Sequence, residues 1–177
     1  NELPAQNVDT GAGLERIAAL IQDTPSVFET DAFWPLIEWA QGASGRRYGN
    51  NPRDDRALRV MADHGRGMTF LATDGVRPGN EGRDYILRRI VRRAMAEASS
   101  IGLGPQHMAA LSGEVAAIWG DAYPELRERQ AEVQDVIGAE ADQFARTLSQ
   151  GKRLLDQLIV ENETELSGDD AFKLHDT

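Results

Sequence analysis

Six arginines fall within seventeen residues of this chain, at Arg77, Arg83, Arg88, Arg89, Arg92 and Arg93. A guanidinium group is always charged and meets a phosphate with paired hydrogen bonds. On a helix, residues 88 and 92 stack one turn apart, as do 89 and 93. The segment just before them, TDGVRPGNEGR at 73–83, holds three Gly and one Pro and reads as a loop that carries Asn80. Such a loop and helix suit a clamp on a phosphate backbone, with Asn80 brought near base edges. The competing use is a solvated helix face paired to acids of the C-terminal half. Fourteen acids lie between 121 and 177, enough to account for about half of these arginines.

Two other clusters have chemistry to offer. Asp9-Thr10-Gly11-Ala12-Gly13-Leu14-Glu15-Arg16 places a Gly-x-Gly before a helix. Glycines let backbone approach a ligand, and the helix start offers free N–H groups. Arg16 could clamp a phosphate and Asp9 could hold an amine. Taken alone, the fragment reads more simply as a helix start capped by Thr10. Ala62-Asp63-His64-Gly65-Arg66 joins an imidazole to a carboxylate, which predicts a structural hydrogen-bond network. The three histidines, His64, His107 and His175, lack metal-ligand spacing, so no metal site is expected. No nucleophile triad or paired carboxylate dyad stands out.

The elements that must position these groups are helical. Residues 1–10 read as extended, with Val8 the one strand-forming side chain. Leu14, Ile17, Ala18 and Ile21 share a helical face over 12–22. Asp31 is expected to cap a helix running through Ala40, with Gly42–Pro52 a loop. Asp54 or Asp55 is expected to cap the next, which buries Ala57, Leu58, Met61 and Ala62 and continues toward Met68, Phe70 and Leu71. Tyr85–Ala98 predicts a helix with Tyr85, Ile86, Ile90, Val91, Ala94 and Met95 apolar. Another spans Met108–Trp119. From Glu125 to about Val160, the residues Val133, Ile137, Phe144, Leu148, Leu155 and Ile159 repeat like a heptad. Gly138 and Gly151 each cost about 1 kcal/mol in a helix interior and are expected places for a kink or break. The fold expected is mainly α: a helical bundle with a long helix or helical hairpin in the C-terminal half.

Charge sharpens the argument. The 177 residues carry a net charge of −10, yet residues 53–93 hold ten bases, all Arg, against six acids. One basic island in an acidic protein favours limited, oriented contact with a polyanion over DNA coating. With no Cys, disulfides, Cys-ligated zinc and thiol chemistry are excluded. No apolar run reaches the ~20 residues of a membrane span, and no secretory leader opens the chain, so a cytoplasmic location without a membrane partner is expected.

The segments VDTGAGLER, ADHGR, TDGVRPGNEGRDYILRRIVRR and AFKLHDT, in that order, resemble alanyl-tRNA synthetases over essentially the whole chain. The first is shared loosely by class II synthetases as motif 3; the Arg-rich one is far more specific. The resemblance implies that residues 1–22 end a class II catalytic domain, with an orphaned motif 3 strand at the N-terminus. It implies an α-helical tRNA-recognition domain over 23–165, and over 166–177 the start of a segment leading to an editing domain. By the same resemblance, Arg16 contacts the ATP phosphates, Asp9 holds the alanine amino group and Gly11 lies against the amino acid. Asn80 and Asp176 read the G·U wobble pair of the tRNA(Ala) acceptor stem, approached by Arg83, Arg88, Arg89, Arg92 and Arg93. Family members usually carry Tyr in place of His175, Gly in place of Asp84 and Met in place of Ala12.

The parent activity so implied is alanine activation with ATP and Mg, followed by charging of tRNA(Ala). Motifs 1 and 2 are absent, so this segment is not expected to be catalytically competent alone. Alanine and ATP would bind only with the missing catalytic core, no cofactor is expected on this segment, and the parent's zinc site would lie beyond it. No DNA partner is expected. In RNA the wide minor groove exposes base edges. A carboxylate and an amide oxygen are suitable acceptors for the guanine amino group of a G·U pair. The alternative is a non-catalytic helical module that binds protein through the heptad stripe. Its mark would be arginines buried in salt bridges rather than left open.

Overall fold

The computed structural model describes residues 11–161 and 166–176, except the side chains of Glu161, His175 and Asp176. Among them it contains eight α-helices and no strand. These are α1 (Leu14–Ile21), α2 (Trp34–Ser44), α3 (Pro52–Thr73), α4 (Gly82–Ser100), α5 (Gln106–Trp119), α6 (Glu125–Glu128), α7 (Gln130–Glu161) and α8 (Gly168–Asp176). The mainly α expectation holds, with one long helix in the C-terminal half. The expected N-terminal strand and Val8 lie outside the described residues.

α3 is the central element and packs against α2, α4, α5 and α7. Its inward stripe of Ala57, Leu58, Met61, Ala62, Gly65, Met68, Thr69 and Ala72 is buried. Gly65 is required at one point: a Cβ there would lie 2.6 Å from Leu111 Cδ2 of α5. Leu87, Val91 and Met95 of α4 close one side of the core, and Val133, Ile137 and Ala141 of α7 another. Full burial of a side chain such as Leu87 stabilises the fold by about 1.5–3 kcal/mol.

Several local expectations are corrected. α1 is preceded by Gly13, which has no side chain to cap it; Thr10, the expected cap, lies outside the described residues. Asp31 does not cap α2, which begins after Phe33; it accepts a 2.7 Å hydrogen bond from Gln22 instead. Asn51 caps α3, accepting from the Arg53 N–H at 2.9 Å, with Pro52 in the first turn where its missing N–H costs nothing. Asp55 accepts from the Gly49 N–H. Gly138 and Gly151 do not interrupt α7; the break from α6 falls at Arg129. Ile159 is exposed while Leu158 is buried, so the heptad phase drifts at that end. α1 turns Leu14, Ile17 and Ile21 to solvent.

Candidate nucleic-acid interface

The loop between α3 and α4 is fixed from both ends. The last carbonyls of α3 have no helical N–H to meet, and two cations serve them. Arg77 Nη1 donates to Ala72 O at 3.1 Å and Val76 O at 2.9 Å. Arg129 Nη1 donates to Thr73 O. Both guanidiniums also pair with Glu132 of α7. The Arg129 hydrogen bond, with Arg77 adding to it, holds the Glu132 carboxyl below the usual carboxylate range. Further on, the Gly79 N–H donates to Asp84 O at 3.1 Å, folding the loop back on the first turn of α4. A Cβ at residue 79 would sit 2.8 Å from the Asp84 Cβ, so this approach favours glycine. Gly82 starts α4 at a φ of 55°, a region that side chains disfavour.

Asn80 therefore stands, exposed, beside the outer face of α4. Its Oδ1 accepts from Arg88 Nη1. Arg88 Nε lies 3.4 Å from Glu140 Oε1 of α7, an ion pair without hydrogen-bond geometry. Arg92 Nε donates to that same oxygen at 2.6 Å, and its guanidinium lies 5.5 Å over the Phe144 ring. Arg83, Arg89 and Arg93 are exposed and make no ion pair among the described residues. Asn80, Tyr85, Arg88, Arg89 and Arg92 together line an open cleft of about 450 Å³. The six arginines thus divide evenly, as the charge balance suggested: Arg77, Arg88 and Arg92 pair with acids of α7, and three remain open.

Two points differ from expectation. Tyr85 and Ile86 do not join the core; each is 47% exposed, and Leu87 takes the buried position. Tyr85 is the cleft residue that sequence reasoning missed. Its spacing of three, four and seven from Arg88, Arg89 and Arg92 was the available signal. The amide oxygen of Asn80, expected to accept from guanine, is already engaged by Arg88.

The other clusters resolve differently. Asp63 Oδ2 and His64 Nδ1 lie 2.8 Å apart, the expected hydrogen-bonded pair, and this contact holds the Asp63 carboxyl below its ordinary value. Arg66 Nη2 donates to Glu15 Oε1 of α1 at 2.6 Å while lying 4.2 Å over Phe33 and 5.5 Å over Trp119. A mostly apolar cleft of about 400 Å³ between them is lined by Leu14, Ala18, Arg66, Ile118 and Trp119. Gly11 and Arg16 are exposed at the start of α1. Asp9 and the side chain of Asp176 lie outside the described residues; the backbone of Asp176 ends α8, which packs on α7. No described helix is long and apolar enough to cross a membrane.

A sequence model of the family described as tRNA synthetases class II (A) matches residues 1–177. The chain is 45% identical over 181 residues to the alanine–tRNA ligase of Latilactobacillus sakei subsp. sakei (strain 23K), covering 99% of this chain and 21% of that protein. It is 45% identical over 176 residues to the alanine–tRNA ligase of Dehalococcoides mccartyi (strain ATCC BAA-2266 / KCTC 15142 / 195), covering 99% and 20%. Against that of Frankia alni (strain DSM 45986 / CECT 9034 / ACN14a) the identity is 43% over 180 residues, covering 99% and 20%. The chain spans about a fifth of the length of the curated relatives it matches.

Proposed function

The chain belongs to the class II (A) tRNA synthetases, and from that premise we propose that it docks the tRNA(Ala) acceptor stem within an alanine–tRNA ligase. The observation that carries this is the cleft of Asn80, Tyr85, Arg88, Arg89 and Arg92, a cationic surface with an aromatic ring on a protein of net charge −10. Arg83, Arg89 and Arg93 contact phosphates. Arg88 and Arg92, half neutralised by Glu140, shape the floor. Asn80 meets a base pair from the minor-groove side, and Asp176 serves as the carboxylate for the guanine amino group of a G·U pair.

In the complete ligase, residues 1–22 close the catalytic domain, 23–165 form the tRNA-recognition domain and 166–177 lead toward editing. Alanine activation by ATP assigns Asp9 and Gly11 to the amino acid and Arg16 to phosphate; Arg16 is exposed and fits that role. The described residues contain no group of three or more His, Cys, Asp or Glu side chains that could hold a metal ion.

Binding of acceptor-stem hairpins carrying G·U or G·C, followed across a salt series, tests the proposal. Each phosphate contact adds about 0.7 to 0.9 to the slope of log affinity against log salt, so three free arginines give roughly 2 to 3. A flat response would point to the protein-binding module instead. That module has lost part of its surface, because Val133 and Ile137 of the stripe are buried in this chain's own core.

A further inference from the structure

We infer that Glu140 is a positioning residue that, through Arg88, fixes Asn80 as a hydrogen-bond donor toward a minor-groove acceptor. This rests on the RNA-docking function proposed above. Three observations make the relay. The Glu140 side chain is only 11% exposed and sits between two guanidiniums. Arg92 is held by the same carboxylate oxygen and by Phe144, so the carboxylate is itself fixed. Arg88, drawn to the Glu140 carboxylate with its Nε 3.4 Å away, extends Nη1 to the Asn80 oxygen.

The polarity follows from the inventory of donors. An arginine has five N–H donors and no acceptor. Whichever atom of the Asn80 amide faces Arg88 must therefore be the oxygen, and the assignment does not depend on an arbitrary amide flip. The two N–H groups of Asn80 are what the exposed side chain offers outward. On the minor-groove edge, acceptors are a pyrimidine O2, a purine N3 and the ribose 2′-oxygen, whereas the guanine amino group is a donor and would have to share the Asn80 oxygen with Arg88. Asn80 thus offers its donors to one of these acceptors, and the guanine amino group is best met by a carboxylate that is not already engaged.

The experiment uses the complete ligase and acceptor-stem hairpins whose wobble pair carries oxygen or sulfur at pyrimidine position 2, guanine or 3-deazaguanine, and a 2′-hydroxyl or 2′-deoxy sugar. The wild-type protein is expected to lose affinity about threefold to tenfold on one of these three substitutions, which names the acceptor. Asn80→Ala and Glu140→Ala should flatten that loss to within about twofold. Glu140→Gln keeps an oxygen for the arginines and should restore most of it. Arg88→Lys should lose the discrimination yet keep its salt slope, because an ammonium retains the charge but cannot span both Glu140 and Asn80. Glu140→Ala, which removes a negative charge, should not lower the salt slope. If Glu140→Ala proves unfolded in a thermal melt, Arg88→Lys and Glu140→Gln decide the matter. Full discrimination in Glu140→Ala or Arg88→Lys, or no rescue by Glu140→Gln, overturns the relay. Salt-dependent wild-type binding that is indifferent to all three substitutions overturns the donor assignment. Wild-type protein that binds no hairpin overturns the docking function itself.

Discussion

α3 and α4 both carry arginines along an outer face, and their neighbours give the two sets different work. On α3, Arg66 stacks over Phe33 and Trp119 and pairs with Glu15. Arg59 donates to the Tyr48 hydroxyl at 2.6 Å, lies over the Phe28 and Tyr48 rings and reaches Glu29 at 3.8 Å. These guanidiniums tie α1, the short 3₁₀ turn at Val27–Glu29 and the loop before α3 to the body of the protein. On α4, Arg83, Arg89 and Arg93 have no such partner among the described residues, and Arg88 and Arg92 share a single carboxylate. The difference is one of partners, not of residue type. A guanidinium whose donors and π-face are satisfied internally contributes to stability, and one left open is available to a polyanion.

Substitutions on the two helices should therefore separate. The largest effect is expected from Arg66→Ala, which removes two ring contacts and an ion pair from a mostly covered side chain. A loss of about 2 kcal/mol follows, or roughly 4–8 °C in melting temperature for a chain of this size. Calorimetry checks it, and an unchanged midpoint would show that α3 does not use its arginines structurally. Tyr85→Ala on α4 should leave the midpoint alone and weaken hairpin binding by about 1 kcal/mol, roughly fivefold, through the half-exposed ring surface that docking would cover. Arg89→Ala should change folding by less than about 0.5 kcal/mol. It should lower the salt slope by about 0.7 to 0.9, a loss of roughly threefold over a fourfold span of salt.

The smallest effect is expected in acid. The backbone hydrogen bond at Glu15, with the Arg66 contact adding to it, holds that carboxyl below its ordinary range. Burial works to raise Glu29, but hydrogen bonds from Ser26 and Tyr48 outweigh it and the net shift is downward. Groups depressed in the folded state bind their protons less readily there than in the unfolded chain. Their stabilisation is present above the unfolded value and is lost as pH falls through the folded one, below about pH 5. Glu15→Gln should flatten part of that decline in a series of melts against pH. Arg89→Ala should leave it unchanged, because no carboxylate among the described residues pairs with Arg89.

Much of the fold was legible because helical periodicity is a local property. The spacing of Leu58, Met61 and Met68 predicts α3, and that of Val91, Ala94 and Met95 predicts α4, whatever lies around them. Caps were less legible. Asp31, Asp54 and Asp55 are as capable as Asn51 of capping a helix, and only the path of the chain decided among them. The face of α4 was misplaced at its start, since Tyr85 and Ile86 look like core by residue type, yet both stand half exposed and Leu87 takes the buried position. Similarly, Leu14 and Ile21 share a face on α1 as the spacing requires, but nothing in the spacing says that the face looks outward.

By itself, the sequence determined the helical class, the basic island around residues 53–93 and the Gly-Pro loop that carries Asn80, because these follow from residue types at short separation. It also limited the number of open arginines, since the acids available to pair with them could be counted. Which arginines stay open was a tertiary decision. Glu140 lies 48 residues beyond Arg92 in the chain, and only the packing of α7 against α4 brings its carboxylate between Arg88 and Arg92 rather than against Arg89 or Arg93. The same packing turned the Asn80 amide, because a donor-only guanidinium held in place from α7 can accept nothing and must take the oxygen.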